Sequence, residues 1–275
     1  TSTQYKEDGP PKWVWQDVIH CRPKNFDTLF LAMLDKAEQT YAPLLAAAED
    51  LKKEVTIARQ KATEKLATRI GWMTRIHPIM LNDNRMMLGL YTDVFSVSLA
   101  AFTEDWGKTW SFSEPILELG NIQPSFVQKK NGNIIAYMRD NGLPHHIRVS
   151  ESKDNGVTWS EVTQSEILNP GSSVECIALK SGLWVMVCND TFDGRHWLTA
   201  YLSDDEGATW KWNRKLEKWS DKEAGSASYP SVIQTSDGMI HATYSYVMKE
   251  VKGSSIRHAQ FNEDWIKAGD PAEKK

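Results

Sequence analysis

Arg75, Arg139 and Arg195 are the first residues to weigh for chemistry, because planar guanidinium groups converging on one opening pair bidentately with a carboxylate. With them go His77, Gln123, Glu175 and Tyr229, and also Asp93, Asn189 and Tyr246, which bring an imidazole, carboxylates, phenols and amides. Several have an ordinary reading: Arg139 before Asp140, or Arg195 after Asp193-Gly194, would pin a loop, Tyr229 before Pro230 would pack, and His145-His146 reads as a solvated loop pair. Glu175, between Val174 and Cys176, is harder to dismiss, since a carboxylate in an apolar run costs free energy unless a neighbour or a ligand satisfies it. To meet at one place, these residues need an architecture in which equivalent positions of successive units face a common axis.

The sequence contains such units. Thr103-Glu-Asp105-Trp106-Gly107-Lys-Thr109-Trp110, Ser152-Lys-Asp154-Asn-Gly156-Val-Thr158-Trp159 and Ser203-Asp-Asp205-Glu-Gly207-Ala-Thr209-Trp210 are one pattern, S/T-x-D-x-G-x-T-W, with glycines 49 and 51 residues apart. That period is a propeller blade's rather than a helical repeat's. In each box the Asp caps its own turn through backbone N–H groups, the Gly takes a positive φ and the Trp fills a seam between blades, so these aspartates are structural and not catalytic. Turns at Asn82-Asp83-Asn84, Asn131-Gly132, Ser181-Gly182 and Asp237-Gly238 keep the same beat half a blade earlier, between β-rich runs. The fold class is therefore all-β: four blades over residues 71–275, each reading strand A, tight turn, strand B, loop, strand C, box, strand D. Asn262-Glu-Asp264-Trp265 is a remnant of the fourth box.

Residues 25–70 follow another period. Leu44, Ala48, Leu51, Val55, Ala58, Ala62 and Leu66 recur every three or four positions, with Pro43 suited to a first turn, and a shorter helix over Asp27–Tyr41 precedes them. A helical hairpin is expected there as an insertion. Residues 1–24 read as a strand or linker, with Trp13–Ile19 a strand that would belong to a blade.

Composition narrows the partners. The 32 basic and 36 acidic residues are interspersed and leave a net charge of −4, which offers no footprint for nucleic acid, and no apolar run reaches the ~20 residues of a membrane span. Cys21, Cys176 and Cys188 read as buried thiols, and neither CxxC nor HExxH spacing occurs, so neither metal nor cofactor is expected. A start at Thr1 fits a processed N-terminus, with a secreted or periplasmic location favoured.

In an up-and-down blade the A–B turn and the box share one end, so strand A starts and strand B ends share the other, where several blades meet at the axis. Aligned on their turns, the blades bring His77, Gln123, Glu175 and Tyr229 to strand A starts, and Asp93, Arg139, Asn189 and Tyr246 to strand B ends, with Arg75 and Arg195 adjoining. A shared pocket for a carboxylate-bearing ligand follows.

The boxes, the Glu175 segment, Gly194-Arg195 ahead of the third box and Tyr229 at a strand start together resemble the sialidase superfamily over about Ile70–Ile266. The resemblance implies an exo-glycosidase acting on an acidic oligosaccharide or polysaccharide, in which Tyr229 is the nucleophile, Glu175 its activating partner and Arg195 one of three arginines on the sugar carboxylate. It is incomplete: Arg75-Ile76-His77-Pro78 inserts a histidine into the family's Arg-Ile-Pro motif, Arg214 is the one arginine available as third member, and the acid/base aspartate would lie in another blade. Four blades also fall short of a closed ring in this superfamily, which points to upstream blades, an oligomer or a companion chain. Gly71–Arg75, Gly120–Pro124, Met138–Gly142 and Ser228–Ser231 resemble a sialidase-like branch of polysaccharide lyases acting on uronic acids. There Arg139 and Arg195 would neutralise the uronate while His77 or Tyr229 removes the C5 proton. A non-catalytic carbohydrate-binding propeller is the third reading.

Overall fold

A computed structural model describes residues 8–10, 12–14, 16–142, 144–250 and 253–271. Its strands form four antiparallel sheets, one per repeat. Blade 1 contains β1 (Ile79–Met80), β2 (Met86–Thr92), β3 (Val97–Thr103) and β4 (Ser111–Phe112), and blade 2 contains β5 (Asn121–Gln128), β6 (Ile134–Asp140), β7 (His146–Ser152) and β8 (Thr163–Leu168). Blade 3 contains β9 (Glu175–Ala178), β10 (Trp184–Cys188), β11 (Trp197–Ser203) and β12 (Trp212–Lys218). The fourth blade departs from expectation: among the described residues it has three strands, β13 (Gly225–Gln234), β14 (Ile240–Met248) and β15 (Ser255–Phe261). Where strand D would start, the box remnant caps a short helix, α4 (Glu263–Lys267), with the Asn262 side chain accepting from the Trp265 N–H.

The boxes fold as their residue types dictate. In the second, Asp154 Oδ1 accepts from the Thr158 N–H at 2.9 Å and from the Ser152 hydroxyl at 2.8 Å, while the Gly156 N–H donates to Ser152 Oγ at 2.8 Å. The first and third repeat this network around Asp105 and Asp205. Gly107, Gly156 and Gly207 lie at φ +89°, +82° and +80°, where a Cβ is strained. The boxes also clip blades together. Arg85, in the A–B turn of blade 1, donates to the Asn155 carbonyl in the box of blade 2, and the Lys130 N–H does the same to the Glu206 carboxylate in the box of blade 3. The Ser181 hydroxyl reaches Glu263 of the remnant at 2.6 Å. The core lies in these seams. Phe102, Phe126 and Met138 sit between blades 1 and 2, Tyr137, Trp184 and Met186 between 2 and 3, and Val187, Val232 and Tyr244 between 3 and 4. Trp159 stacks on Phe126 with centroids 5.3 Å apart, the expected seam role.

The helical insertion is present but divided. Helix α1 spans Phe26–Thr40, and the longer expected helix breaks at Ala48 (φ −122°, ψ 87°) into α2 (Ala42–Ala47) and α3 (Glu49–Ala62). Leu44 and Leu66 stay exposed, whereas Phe26, Phe30 and Leu34 bury against Phe95 and Val97 of blade 1. Arg59 of α3 ties to Asp35 and Glu38 of α1. The described residues of Trp13–Ile19 belong to no strand and leave Trp13 71% exposed, while Trp15 and residues 1–7 lie outside the described part. All three cysteines are free and buried, and burial pushes the Cys21 thiol up to about 12.

A Cβ on Gly156 would stand 2.9 Å from the Phe102 ring. With its positive φ, Gly156→Ala is expected to destabilise the chain by about 1–3 kcal/mol, read as a lower urea midpoint at unchanged m-value; an unchanged midpoint would remove the box from the seam's energetics.

Candidate active site at the mouth of the propeller

The strand registers separate the aligned residues into two rows. Counting back from the residues that close the A–B turns (Leu81, Lys129, Leu179 and Thr235), His77 and Glu175 lie four positions earlier, and Gln123 and Tyr229 six. The offset coincides with register shifts at Ile122/Ser125 and Ser228/Ser231, where each inner strand carries an X-Pro bulge. Gln123 and Tyr229 sit inside these bulges at φ +57° and +55°. For a bulky aromatic residue that conformation is an outlier, and such strain gathers at functional sites. It leaves the Tyr229 side chain 41% exposed at the mouth.

Glu175 is fully buried at the start of β9. Its Oε2 accepts from the Val232 N–H of blade 4 at 3.0 Å and lies 3.9 Å from Arg75 Nη2. Its Oε1 makes no aligned hydrogen bond among the described residues, and His77 Nδ1 stands 2.6 Å from it. The contact with Glu175 raises the His77 pKa above its usual 6.5 against the opposing effects of burial and Arg75. Glu175 therefore contacts His77 and Arg75, whereas the resemblance pairs it with Tyr229. His77 keeps 38% of its side chain exposed, so it is both oriented by a buried carboxylate and open to a ligand.

Arg75 also differs from expectation. It is 10% exposed, and its guanidinium donates to the carbonyls of Pro230 at 2.9 Å and Val174 at 3.2 Å, which joins blade 1 to blades 4 and 3. Burial lowers its pKa, against the opposing influence of Glu175, Tyr229 and Tyr91. Arg195 lies over the Tyr229 ring with Cζ 5.5 Å from the centroid and donates to the Gly171 carbonyl at 3.1 Å. Arg139 bonds Asn141 and leaves a buried Nε without a partner among the described residues. A Cβ on Gly171 would stand 4.0 Å from Arg139 Nη2, so Gly171 (φ +71°) lies between the two arginines.

Two expected ligand contacts prove internal. Asn189 is fully buried, with its amide donating to Trp197 and Ala227 carbonyls and accepting from the Ser172 hydroxyl, so none of its polar atoms faces a ligand. Gln123 is 5% exposed and accepts from Ser173. Both amides hold the Asn169–Ser173 turn, a contributor missed in the sequence although its Pro170-Gly171 dipeptide signals a turn. Arg214 stands on outer strand β12, donating to the Trp265 carbonyl and lying 4.2 Å over its ring, and does not act as a third mouth arginine. Among the described residues no group of three or more His, Cys, Asp or Glu side chains is placed to hold a metal. Glu175→Gln is expected to move the His77 titration down toward its usual value, followed by NMR of the ring protons; an unmoved midpoint would deny the pairing.

The BNR repeat-like domain model matches residues 39–242, about three-quarters of the chain. A curated sialidase from Micromonospora viridifaciens is 24% identical over 181 residues, which is 62% of this chain and 26% of that protein. Among solved structures, the NanB sialidase of Streptococcus pneumoniae superposes with TM-score 0.62 at 18% identity, over 73% of this chain and 32% of its own. The leech intramolecular trans-sialidase gives 0.59 at 16% identity, over 73% and 32%. The chain thus spans about a quarter to a third of these relatives, and the likeness to the two solved structures is one of fold. No helix among the described residues is long and apolar enough to cross a membrane. With three boxed repeats, four blades and a family model covering most of its length, the chain belongs to the BNR repeat-like domain family and has a sialidase-like β-propeller fold.

Proposed function

We propose that the mouth cleaves a glycosidic bond beside an acidic sugar, as a sialidase-like hydrolase. The supporting observation is the grouping of Tyr229, flanked by Arg195 and by the charge of Arg75, with the His77–Glu175 pair drawn from different blades. Arg195 and Arg139, on either side of Gly171, receive the carboxylate. Tyr229 attacks the anomeric carbon and gives up its phenolic proton to water at the open mouth. His77, whose pKa the contact with Glu175 raises, gives its proton to the leaving oxygen and then takes one from the water that releases the sugar. It takes the acid/base role that the resemblance gives to an aspartate.

The pairing of Glu175 with His77 also favours a second reading, β-elimination at a uronic acid. In that scheme Arg139 and Arg195 neutralise the carboxylate, and neutral His77 or Tyr229 takes the C5 proton. pH separates the two roles of His77. As the hydrolase's acid it must be protonated, so the rate falls as pH rises through its raised pKa; as the lyase's base it must be neutral, so the rate rises there.

The deciding experiment incubates the chain with sialosides and uronate oligosaccharides, following released sialic acid and ultraviolet absorbance of an unsaturated uronate in parallel. Sialic acid release with an alkaline fall supports the hydrolase, new absorbance supports the lyase, and silence in both leaves a binding propeller. Tyr229→Phe and His77→Asn are each expected to lower turnover at least ~100-fold with the fold intact. For the hydrolase, the His77 loss shrinks on nitrophenyl glycosides, whose leaving groups need no acid; an equal loss would remove His77 as the proton donor.

A further inference from the structure

Asp190 stands next to Asn189 but serves a different place. Its Oδ2 accepts from the Tyr201 hydroxyl at 2.8 Å, whereas its Oδ1 is buried and has no hydrogen-bond partner among the described residues. Burial raises the Tyr201 pKa well above the usual phenol value, with contributions from Cys188 and Asp190, so its proton stays in place and Oδ2 remains occupied. A buried carboxylate oxygen without a donor carries a penalty that a ligand hydroxyl would remove.

Asp190 lines a cleft of about 590 Å³ in the seam between strand β8 of blade 2 and strand β11 with the third box turn of blade 3. That volume lies in the range of small-ligand sites, about 300–1,000 Å³. The cleft has an aromatic side. The rings of Tyr201 and Trp210 are 6.4 Å apart at 79°, and Tyr137 stands 5.9 Å from Trp210 at 70°. In the first box the Trp110 indole N–H donates to the Gly107 carbonyl at 3.1 Å; the corresponding N–H of Trp210 has no acceptor among the described residues. The remaining wall is polar, including Gln164, Ser165 and Thr209, and no lysine or arginine is among the lining residues described.

These features select a ligand class. Aromatic rings accept the C–H faces of a pyranose, and an unpaired carboxylate oxygen takes its hydroxyl protons. With Glu166 as the other charged lining residue, the cleft is negative and rejects an acidic sugar. We propose that the seam between blades 2 and 3 is a second carbohydrate site, one that binds a neutral sugar unit between Trp210, Tyr201 and the free oxygen of Asp190. It does not depend on the reaction at the mouth.

The test is titration calorimetry and saturation-transfer NMR of the full chain with cellohexaose, maltohexaose and mannohexaose, with choline as a cationic competitor. At least one hexasaccharide is expected to bind the unaltered chain and Arg195→Ala alike. Asp190→Asn can keep an acceptor for Tyr201 but turns a donor toward the cleft, and is expected to weaken that binding at least about tenfold. Trp210→Phe, which keeps a ring in the seam, is expected to do the same, with circular dichroism confirming the fold of both. The proposal is overturned by no binding of any hexasaccharide, by binding that both seam variants retain, by binding lost with Arg195, or by choline binding there in place of sugar.

Discussion

The fully buried carboxylate of Glu175 sets the terms for the mouth. A charge removed from water survives only if donors and opposite charges surround it, the penalty otherwise being several kcal/mol. Here the carboxylate of blade 3 draws its partners from two other blades, His77 and Arg75 from blade 1 and the Val232 N–H from blade 4. Satisfying one group therefore fixes the relative placement of three sheets at the axis. Arg75 completes the arrangement by spending its guanidinium on carbonyls of blades 3 and 4, so the cation that balances Glu175 also ties the sheets together. Such a centre is both structural and chemical, because the same field that holds the blades raises the pKa of an accessible imidazole.

The two ends of the propeller divide the labour. At the box end, short Asp, Ser and Thr side chains saturate their own turns, and neighbouring blades are clipped through backbone carbonyls and carboxylates. At the mouth the inner strands of blades 2 and 4 bulge at X-Pro, at the cost of a positive φ for Gln123 and Tyr229, and Tyr229 is turned outward. Rigidity at one end allows strain at the other. The helical insertion packs beside the mouth-end loops of blades 1 and 2, with Phe30 and Leu34 anchored on Phe95 and Val97, so it is held by apolar burial rather than by the repeat.

Much of the fold was legible because it rests on local chemistry repeated at a constant period. Each S/T-x-D-x-G-x-T-W box closes its own turn from residues within eight positions, so its role follows from residue type, and three copies about fifty residues apart, with the four A–B turns on the same beat, determine the blades and their number. The helical period over residues 44–62 was equally local, but the break at Ala48 was not, since no residue there forbids a helix. The candidate site was legible as a set of residues, because polar groups at inner-strand positions need partners. Who partners whom was decided only by the tertiary structure. A two-residue offset between bulged and unbulged inner strands separates Tyr229 from the row of His77 and Glu175, and contacts spanning about a hundred residues give the carboxylate to His77. The same long-range packing withdraws Asn189 and Gln123 into the interior and leaves one oxygen of Asp190 unpaired in a seam. Sequence determined the repeating unit through short-range hydrogen bonding; the pairing of charges at the axis depended on how the units stack.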